Sequence, residues 1–326
     1  MGESIFLTGV TGFLGKRLLL RLLGEGRRIH VIVRDPSRLE VPEGAPLRIF
    51  SGDIADSGVV RRAMEGCDEG YHLAARVQYH PRRAEYESSN VTGTRNVLAA
   101  AKELGLRKLV YSSSIIVYAN DPAPLKDETA RVAGGVFNSD YHRTKYYAHL
   151  EAMRFAAEGL PVVLVMPASV FGPRDLSDAN RVFSWCRRFK EGRVPRWLPD
   201  RGDLVLNVVY GEDVAGGIVQ AMRRGDAGEG YILGGENIAI RDLMAKIGSL
   251  AGDGRRFRSF PSAALAPFAA AAEIVGAATR TKPLLSRGLV RALQTPWAFS
   301  SEKAIRNLGY SLTPFDEALR ATFESA

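Results

Sequence analysis

Tyr141 and Lys145 are spaced for proton transfer. Side chains four positions apart lie on one face of an α-helix, so the phenol and the ammonium group would be neighbours. A tyrosine hydroxyl has an ordinary pKa of about 10, which is too high for a base at neutral pH. An ammonium group about 4–5 Å away favours the phenolate by roughly 3–4 kcal/mol at an effective dielectric constant near 20. We therefore expect Lys145 to lower the pKa of Tyr141 towards the range of a proton shuttle.

Three consecutive serines, Ser112, Ser113 and Ser114, end an apolar strand candidate. A serine hydroxyl at the end of a strand can donate a hydrogen bond to a substrate carbonyl and polarise it as hydride arrives. Because the three serines share this position, their residue type alone does not decide which of them acts.

The segment from Thr8 to Gly15 contains three glycines at steps of three, between a strand candidate and a helix candidate. Glycine lets the backbone turn tightly and approach a pyrophosphate, and free N–H groups at the helix N-terminus bind the anion. The pattern therefore predicts a dinucleotide site at this turn. The residues assigned to it are Thr8, Gly9, Thr11, Gly12, Phe13, Leu14 and Gly15.

Two later strand ends carry further residues suited to a dinucleotide. Asp53 can accept a hydrogen bond from an adenine amino group, and small residues after His72 leave room for ribose and phosphates. Open α/β sheets bind their ligands at the carboxyl ends of the strands. His72 itself is predicted to be a packed core histidine. The cofactor residues predicted here are Asp53, Ile54, Leu73, Ala74 and Ala75.

The elements that would position these residues alternate between strand and helix. Strand candidates lie at 4–8, 29–33, 47–50, 70–73, 108–112 and 161–166, and helix candidates at 13–23, 59–64, 86–105 and 140–158. This alternation predicts an α/β fold with a doubly wound parallel sheet of the Rossmann type. We expect a dinucleotide-binding domain over 1–170, with 206–230 returning to it. A smaller substrate-binding region is expected over 171–205 and 231–326.

The composition is that of an ordinary globular protein, with 46% hydrophobic and 25% charged residues in 326. The net charge of +8 comes from scattered arginines that are not interleaved with aromatic residues, so we expect no nucleic-acid partner. Two distant cysteines and five histidines without metal-ligand spacing predict no metal site. Together with a start that lacks the pattern of a signal peptide, the cysteines favour a cytoplasmic location.

The stretch 261–278 is apolar and rich in alanine but is interrupted by Pro267 and Glu273. It is too short and too broken to span a bilayer. A helix that covers a substrate is the favoured interpretation, and contact with a membrane surface stays open as the alternative.

With these residues in view, the chain resembles the extended short-chain dehydrogenase/reductase family over nearly all of its length. The landmarks TGVTGFLG, GDI, HLAA, NVTGTRNVL, YSSSIIVY, YHRTK, MPASVFGPRD and YILGG follow in the family's order. The resemblance selects Ser114 among the serines and implies catalysis by Ser114, Tyr141 and Lys145. It also implies a small-molecule substrate and a homodimer formed through the helices around 86–104 and 140–158. The residues that it adds to the NAD(P) site are Tyr141, Lys145, Pro167 and Ser169.

Two branches of that family compete. Nucleotide-sugar enzymes usually carry asparagine where this chain has Ser169, and Arg-Asp where it has Leu206-Asn207. The chain is more similar to dihydroflavonol reductase and 3β-hydroxysteroid dehydrogenase, which implies redox chemistry on a moderately apolar ketone, aldehyde or alcohol. A nucleotide-sugar epimerase or dehydratase is the alternative. A non-catalytic dinucleotide-sensing protein is disfavoured because the catalytic set is complete.

The end of the second strand bears on the choice of cofactor. Family members that prefer NAD have an acid where this chain has Val33, and the following Arg34 and Arg38 are similar to those of NADP-binding reductases. Guanidinium groups suit a phosphate because they are always charged and donate two hydrogen bonds at once. The resemblance therefore favours NADP(H) over NAD(H), with Asp35 as an opposing charge.

Overall fold

Strands and helices alternate through the first half of the chain. The structure is a computed structural model, and it describes residues 4–77, 83–174, 181–194, 197–279, 285–293 and 295–326. The first elements are β1 (Ser4–Thr8), α1 (Phe13–Gly24), β2 (Arg28–Val33), β3 (Leu47–Ser51), α2 (Ser57–Met64) and β4 (Cys67–His72). They are followed by α3 (Arg83–Tyr86), a π-helix (Glu87–Thr92), α4 (Gly93–Glu103), β5 (Lys108–Ser112), β6 (Leu125–Lys126), α5 (Asp140–Ala157) and β7 (Val162–Pro167). The predicted helix 86–105 is thus interrupted by one wider turn.

The second half contains shorter strands. In order they are β8 (Ser169–Phe171), α6 (Arg181–Lys190), β9 (Trp197–Pro199), β10 (Val205–Tyr210), α7 (Gly211–Arg224), β11 (Gly230–Leu233) and β12 (Glu236–Ala239). The chain ends with α8 (Ile240–Leu250), β13 (Arg258–Phe260), α9 (Ala266–Thr279), α10 (Arg287–Ala292), β14 (Ala298–Phe299), α11 (Glu302–Leu308) and α12 (Phe315–Ser325).

Seven strands within the described ranges form one sheet, in the order β11-β7-β5-β4-β1-β2-β3. Every neighbouring pair in it is parallel. One face packs on side chains of α2, α4 and α5, including Val97 and Phe155, and the other on α1 and α7, including Leu18 and Ile218. The predicted doubly wound parallel sheet is confirmed. The strand order reverses between β1 and β4, and in such folds the ligand binds at this point.

The remaining strands form smaller sheets beside the main one. Strands β8, β10 and β12 form a three-stranded sheet, while β9 pairs with β13 and β6 with β14. A separate core packs α6, α8 and α12 against this part, with Phe189, Leu243 and Leu319 buried in it. The segment 206–230, predicted to return to the dinucleotide-binding domain, divides between the two parts. Strand β10 joins the three-stranded sheet, whereas α7 packs on α1, and β11, which follows, becomes the edge strand of the main sheet.

Candidate active site

Helix α5 brings the predicted proton-transfer pair to the carboxyl end of β5. Ser139 caps the helix just before its first residue, and its hydroxyl accepts a hydrogen bond of 3.1 Å from the backbone N–H of His142. Such a cap fixes the first turn, so Tyr141 and Lys145 occupy successive turns of one face. Tyr141 is half-buried, and Lys145 is buried with only 3% of its surface exposed.

The three serines have three different surroundings. The carbonyl of Ser112 accepts a 2.7 Å hydrogen bond from Nζ of Lys145, and the hydroxyl of buried Ser113 lies 2.9 Å from Nδ1 of His149. The side chain of Ser114 caps a short 3₁₀ turn (Ile115–Tyr118) and lies close enough to the hydroxyl of Tyr141 to lower its pKa.

The pKa values of the pair differ from the expectation based on spacing. Burial raises the pKa of Tyr141, and its hydrogen bond with Ser114 offsets this only in part. Burial lowers the pKa of Lys145 to about 7. The predicted lowering of the tyrosine pKa by Lys145 is therefore wrong for this structure. The reason is that both groups lose water, which disfavours the phenolate and the ammonium alike.

A row of buried hydrogen bonds connects Lys145 to the first strand. Nζ of Lys145 lies 3.5 Å from the hydroxyl of Tyr111, which is hydrogen-bonded to Thr94. Oγ1 of Thr94 lies 3.0 Å from Nε2 of His72, and Nδ1 of His72 lies 2.8 Å from Oγ1 of Thr8. Burial lowers the pKa of His72 to about 3, so its ring is neutral. His72 is thus the packed histidine that the sequence predicts, and it also links two sites.

Asn90 joins the end of β4 to α5 from the π-helix. Its Oδ1 accepts a 2.7 Å hydrogen bond from the backbone N–H of Arg76, and its Nδ2 donates to the Arg76 carbonyl at 3.1 Å. Nδ2 also donates to Oγ1 of Thr144 at 3.0 Å. A wider helical turn of this kind often marks a functional position. Sequence reasoning assigned no role to Asn90, Thr94 or Tyr111, although the first two lie in the NVTGTRNVL landmark.

The glycine turn has the shape that a phosphate group requires. Gly9 has a φ of +84°, and a Cβ there would lie 2.7 Å from the backbone nitrogen of Ala74. A Cβ on Gly15 would lie 2.0 Å from the carbonyl oxygen of Gly9, so this glycine packs within the turn. A Cβ on Gly12 would have one neighbour, the Gly9 oxygen at 3.2 Å. No side chain caps α1 at Gly12, so its N-terminal amides are available to an anion.

The other predicted residues of the turn surround these glycines. Thr8 is fully buried, and its Oγ1 accepts a hydrogen bond of 3.2 Å from the backbone N–H of Ala74. The ring of Phe13 lies against Gly172 and Gly211, and the Arg17 guanidinium stacks on it at 3.7 Å. Phe13 therefore anchors α1 to the loop after β8. Thr11 is exposed, whereas Leu14, Leu73, Ala74 and Ala75 are half-buried.

At the ends of β2 and β3, Arg34 and Asp53 face each other across solvent-accessible space. Nη1 of Arg34 lies 4.0 Å from Oδ2 of Asp53. The Arg34 side chain is 59% exposed and the Asp53 side chain 42%. The carboxylate of Asp35 accepts hydrogen bonds from the backbone N–H and hydroxyl of Ser37, which lower its pKa. Arg38 ends the same short turn and is exposed. Ile54 is a core residue, since it packs against Gly93 at the start of α4.

The positions that separate the two family branches lie at the second sheet. Ser169 is exposed at the start of β8, after Pro167 at the end of β7. Asn207 is fully buried, and its Nδ2 lies within 3.2 Å of the Gly235 carbonyl, the Asn237 side chain and the Phe299 carbonyl. Its Oδ1 accepts from the Gly235 N–H at 2.8 Å. Asn207 therefore joins β10 to β12 and β14.

Two absences concern only those parts of the chain that the structure describes. No group of three or more histidine, cysteine, aspartate or glutamate side chains in these parts is arranged to hold a metal ion. In the same parts, no helix combines the length and the apolar composition that crossing a membrane requires.

Comparison with known proteins agrees with this architecture. Residues 5–234 match the NAD dependent epimerase/dehydratase family. The chain is 30% identical over 259 residues to sterol demethylase protein B of Methylococcus capsulatus, covering 79% of this chain and 77% of that protein. It is 28% identical over 319 residues to a 2-alkyl-3-oxoalkanoate reductase of Stenotrophomonas maltophilia, covering 94% of each. The structure of UDP-glucose 4-epimerase from Thermotoga maritima aligns with a TM-score of 0.79 at 22% identity, over 99% of this chain and 98% of that one. Its likeness at this identity concerns the fold alone. The chain belongs to the NAD dependent epimerase/dehydratase family.

Proposed function

We propose that this protein transfers hydride between NADP(H) and a moderately apolar ketone, aldehyde or alcohol. The observation that carries this proposal is the placement of Ser114 close enough to the hydroxyl of Tyr141 to lower its pKa, with Lys145 held on the Ser112 carbonyl at the end of the same strand. Two hydroxyls that meet at the carboxyl end of a central strand can both bind one carbonyl oxygen. Relatives named as reductases of alkyl-oxoalkanoates and as a sterol demethylase component support substrates of this polarity.

Each residue of the set has a separate role in this proposal. The nicotinamide cofactor supplies or accepts the hydride. Ser114 and Tyr141 hold the carbonyl oxygen, and Tyr141 gives it a proton during reduction or removes one during oxidation. The raised pKa of Tyr141 suits the protonated form, which is the form that reduction requires. Lys145 would hold the nicotinamide ribose with the ammonium proton that the Ser112 carbonyl and the Tyr111 hydroxyl leave unoccupied.

The substrate assignment rests on residues of a nucleotide-sugar site that this chain lacks. Where that branch carries Arg-Asp, this chain has Leu206, which is 9% exposed, and Asn207, whose amide is occupied by neighbouring strands. Neither side chain offers a cation to a diphosphate. We propose that 171–205 and 231–326 cover the substrate, apart from β11 and α11, which contact the main sheet and α7.

The preference for NADP(H) is proposed from charge at the end of β2. Arg34 is exposed beside the strand end, and Val33 offers no carboxylate to ribose hydroxyls. Asp35 is the opposing charge, but its carboxylate is bound to Ser37 within its own turn. This supports binding of the 2′-phosphate by Arg34, with Arg38 nearby in sequence. We further propose that the protein is cytoplasmic.

We also propose a homodimer through the outer faces of α4 and α5. On these helices, Val97, Leu98 and Phe155 are buried inside the chain's own core. The exposed apolar side chains on α5 are instead Tyr147, Leu150 and Met153, at 43%, 37% and 49%. Tyr147 and Leu150 line an open groove between the helices, together with Val91 and Arg95. An isologous helix pair would bury such a face.

A substrate screen with one substitution tests the proposed function. Purified protein is mixed with each oxidised or reduced cofactor and with alkyl ketones, 3-oxo acids, steroids or nucleotide sugars. Cofactor fluorescence reports net oxidation or reduction, and chromatography of the nucleotide sugars reports epimerisation or dehydration, which leave the cofactor unchanged. On the substrate that reacts, Tyr141→Phe should lower kcat by about 10²–10⁴-fold, the usual range for a general acid, with little change in cofactor affinity. Tyr147→Phe, on the exposed face of the same helix, should leave both unchanged. Full turnover by Tyr141→Phe, or reaction with nucleotide sugars alone, would reject the proposal.

A further inference from the structure

Helix α9 has an apolar face that is open to solvent. Phe268, Ile274 and Val275 are 67%, 71% and 60% exposed, and Ala271 lies exposed between them. Their spacing of three, four and seven positions places them on one side of the helix. Ala269, on the other side, is fully buried. The outward side of α9 is therefore the more hydrophobic one, which is the reverse of an ordinary surface helix.

The single charged residue of α9 does not interrupt this face. Glu273 lies on the opposite side by its spacing, and 28% of its side chain is exposed. One carboxylate oxygen accepts a hydrogen bond of 2.6 Å from Nε of Arg287, and the other accepts from the Arg287 backbone N–H at 2.8 Å. The charge of Glu273 is thus matched by Arg287, and the exposed face carries no charge of its own.

The sequence around α9 is strongly basic. Residues 254–300 contain seven arginines or lysines and one acidic residue, Glu273, in a chain whose net charge is +8. Arg256 and Arg258 are exposed just before the helix. The guanidinium of Arg258 lies 5.6 Å above the ring of Trp197, which is itself half exposed. An uncharged apolar helix face, preceded in the sequence by exposed arginines of which Arg258 stacks on a half-exposed tryptophan, has the composition of a helix that lies in a membrane interface.

We propose that α9 docks on the surface of an anionic lipid bilayer. The apolar face enters the headgroup region, and Arg256 and Arg258 contact lipid phosphates. Charge decides against a second copy of this chain, because an isologous contact would bring two basic segments together. The same positive charge favours an anionic bilayer over a neutral one. A nucleic acid would match the arginines but not the aliphatic side chains. This docking goes beyond the proposed function and is measurable without turnover.

Sedimentation with vesicles tests the docking. The full chain is mixed with vesicles of phosphatidylcholine alone or of phosphatidylcholine with phosphatidylglycerol. Partition into the anionic vesicles is expected, and it should weaken with added salt. Replacing Phe268 and Ile274 together by glutamine should reduce it by about tenfold or more, because little apolar area then remains to insert. Replacing Arg256 and Arg258 together by glutamine should reduce it by roughly 25-fold, since one basic residue contributes about fivefold at an anionic surface.

A matched control separates docking from general hydrophobicity. Ile305→Gln removes an exposed isoleucine from α11 and should sediment like the wild type. Phe268 and Ile274 are exposed, so their replacement should leave the thermal midpoint unchanged. The proposal is overturned if the wild type does not sediment with anionic vesicles, or if the Phe268 and Ile274 variant sediments equally well. A change in that variant's oligomeric state without any vesicle binding would show that a second copy covers the face.

Discussion

Nζ of Lys145 donates a 2.7 Å hydrogen bond to the carbonyl oxygen of Ser112, which ties α5 to the end of β5. A carbonyl partially solvates an ammonium group but adds no negative charge, so the lysine remains costly to protonate inside the protein. For this reason its pKa falls to about 7. Around neutral pH a small change in acidity therefore alters the charge of the site.

The pKa of Lys145 predicts how stability depends on pH. An unfolded lysine titrates near about 10.4, so between about pH 7 and this value the unfolded chain binds more protons at this site than the folded chain. The free energy of unfolding contributed by Lys145 therefore rises with pH in this window, and below it the cost of burying the charge is present in full. We expect Lys145→Met to lose this rise. Urea denaturation at several pH values measures this rise, and the substitution Lys246→Met of an exposed lysine on α8 is the control. Equal slopes in the wild type and Lys145→Met would contradict the prediction.

Arg34 should determine the preference for NADPH over NADH. A charge-assisted hydrogen bond to the 2′-phosphate contributes about 1.5–3 kcal/mol, which corresponds to roughly tenfold to a hundredfold. We expect Arg34→Ala to lose a preference of this size, while Arg62→Ala on the exposed side of α2 keeps it. The ratio of dissociation constants for the two reduced cofactors is the measurement. An unchanged ratio in Arg34→Ala, or a wild type that prefers NADH, refutes the assignment.

Two glycines of the turn should separate cofactor binding from folding. Gly15→Ala forces a methyl group onto the Gly9 carbonyl, and such overpacking costs about 1–3 kcal/mol of stability. Gly12→Ala places a methyl group 3.2 Å from the Gly9 carbonyl oxygen, with no other neighbour within 4 Å, so it should cost much less stability than Gly15→Ala but weaken cofactor binding by about tenfold. Gly24→Ala, at the other end of α1 with open space around it, is the control. Thermal unfolding and cofactor titration of the three variants report both quantities. A stable Gly15→Ala, or a Gly12→Ala that binds cofactor normally, would show that the two roles are misassigned.

The proposed dimer predicts a sharp effect at the exposed face of α5. Leu150→Glu would bury a carboxylate in an isologous contact twice, once from each copy, and an unpaired buried charge costs several kcal/mol. Light scattering at micromolar protein should then show monomers, whereas Ile305→Glu on α11 should leave dimers. A monomeric wild type would refute the interface.

Local sequence patterns predict the central elements well. Strands β1 and β5 have the predicted bounds, and α5 begins at the predicted residue. Their apolar runs and flanking glycines act over a few residues, so short-range patterns suffice. Local patterns do not predict the π-helix, because Asn90 is held by Arg76 and Thr144, which are distant in sequence. They do not predict the raised pKa of Tyr141 either, since the whole fold decides how far its hydroxyl is buried. The choice of Ser114 among the three serines comes from the family pattern rather than from any rule of spacing, and it stays a prediction.

The buried row from Lys145 to Thr8 contains a histidine that senses the charge of the lysine. A protonated Lys145 has only donors, so the hydroxyl of Tyr111 accepts from it. The hydroxyl of Thr94 can either donate to Nε2 of His72 or accept a proton carried on Nε2, so the imidazole has two possible tautomers. The charge of Lys145 adds to burial in lowering the pKa of His72, although the two side chains do not touch. Loss of that charge around pH 7 should therefore change the ¹⁵N chemical shifts of the His72 ring.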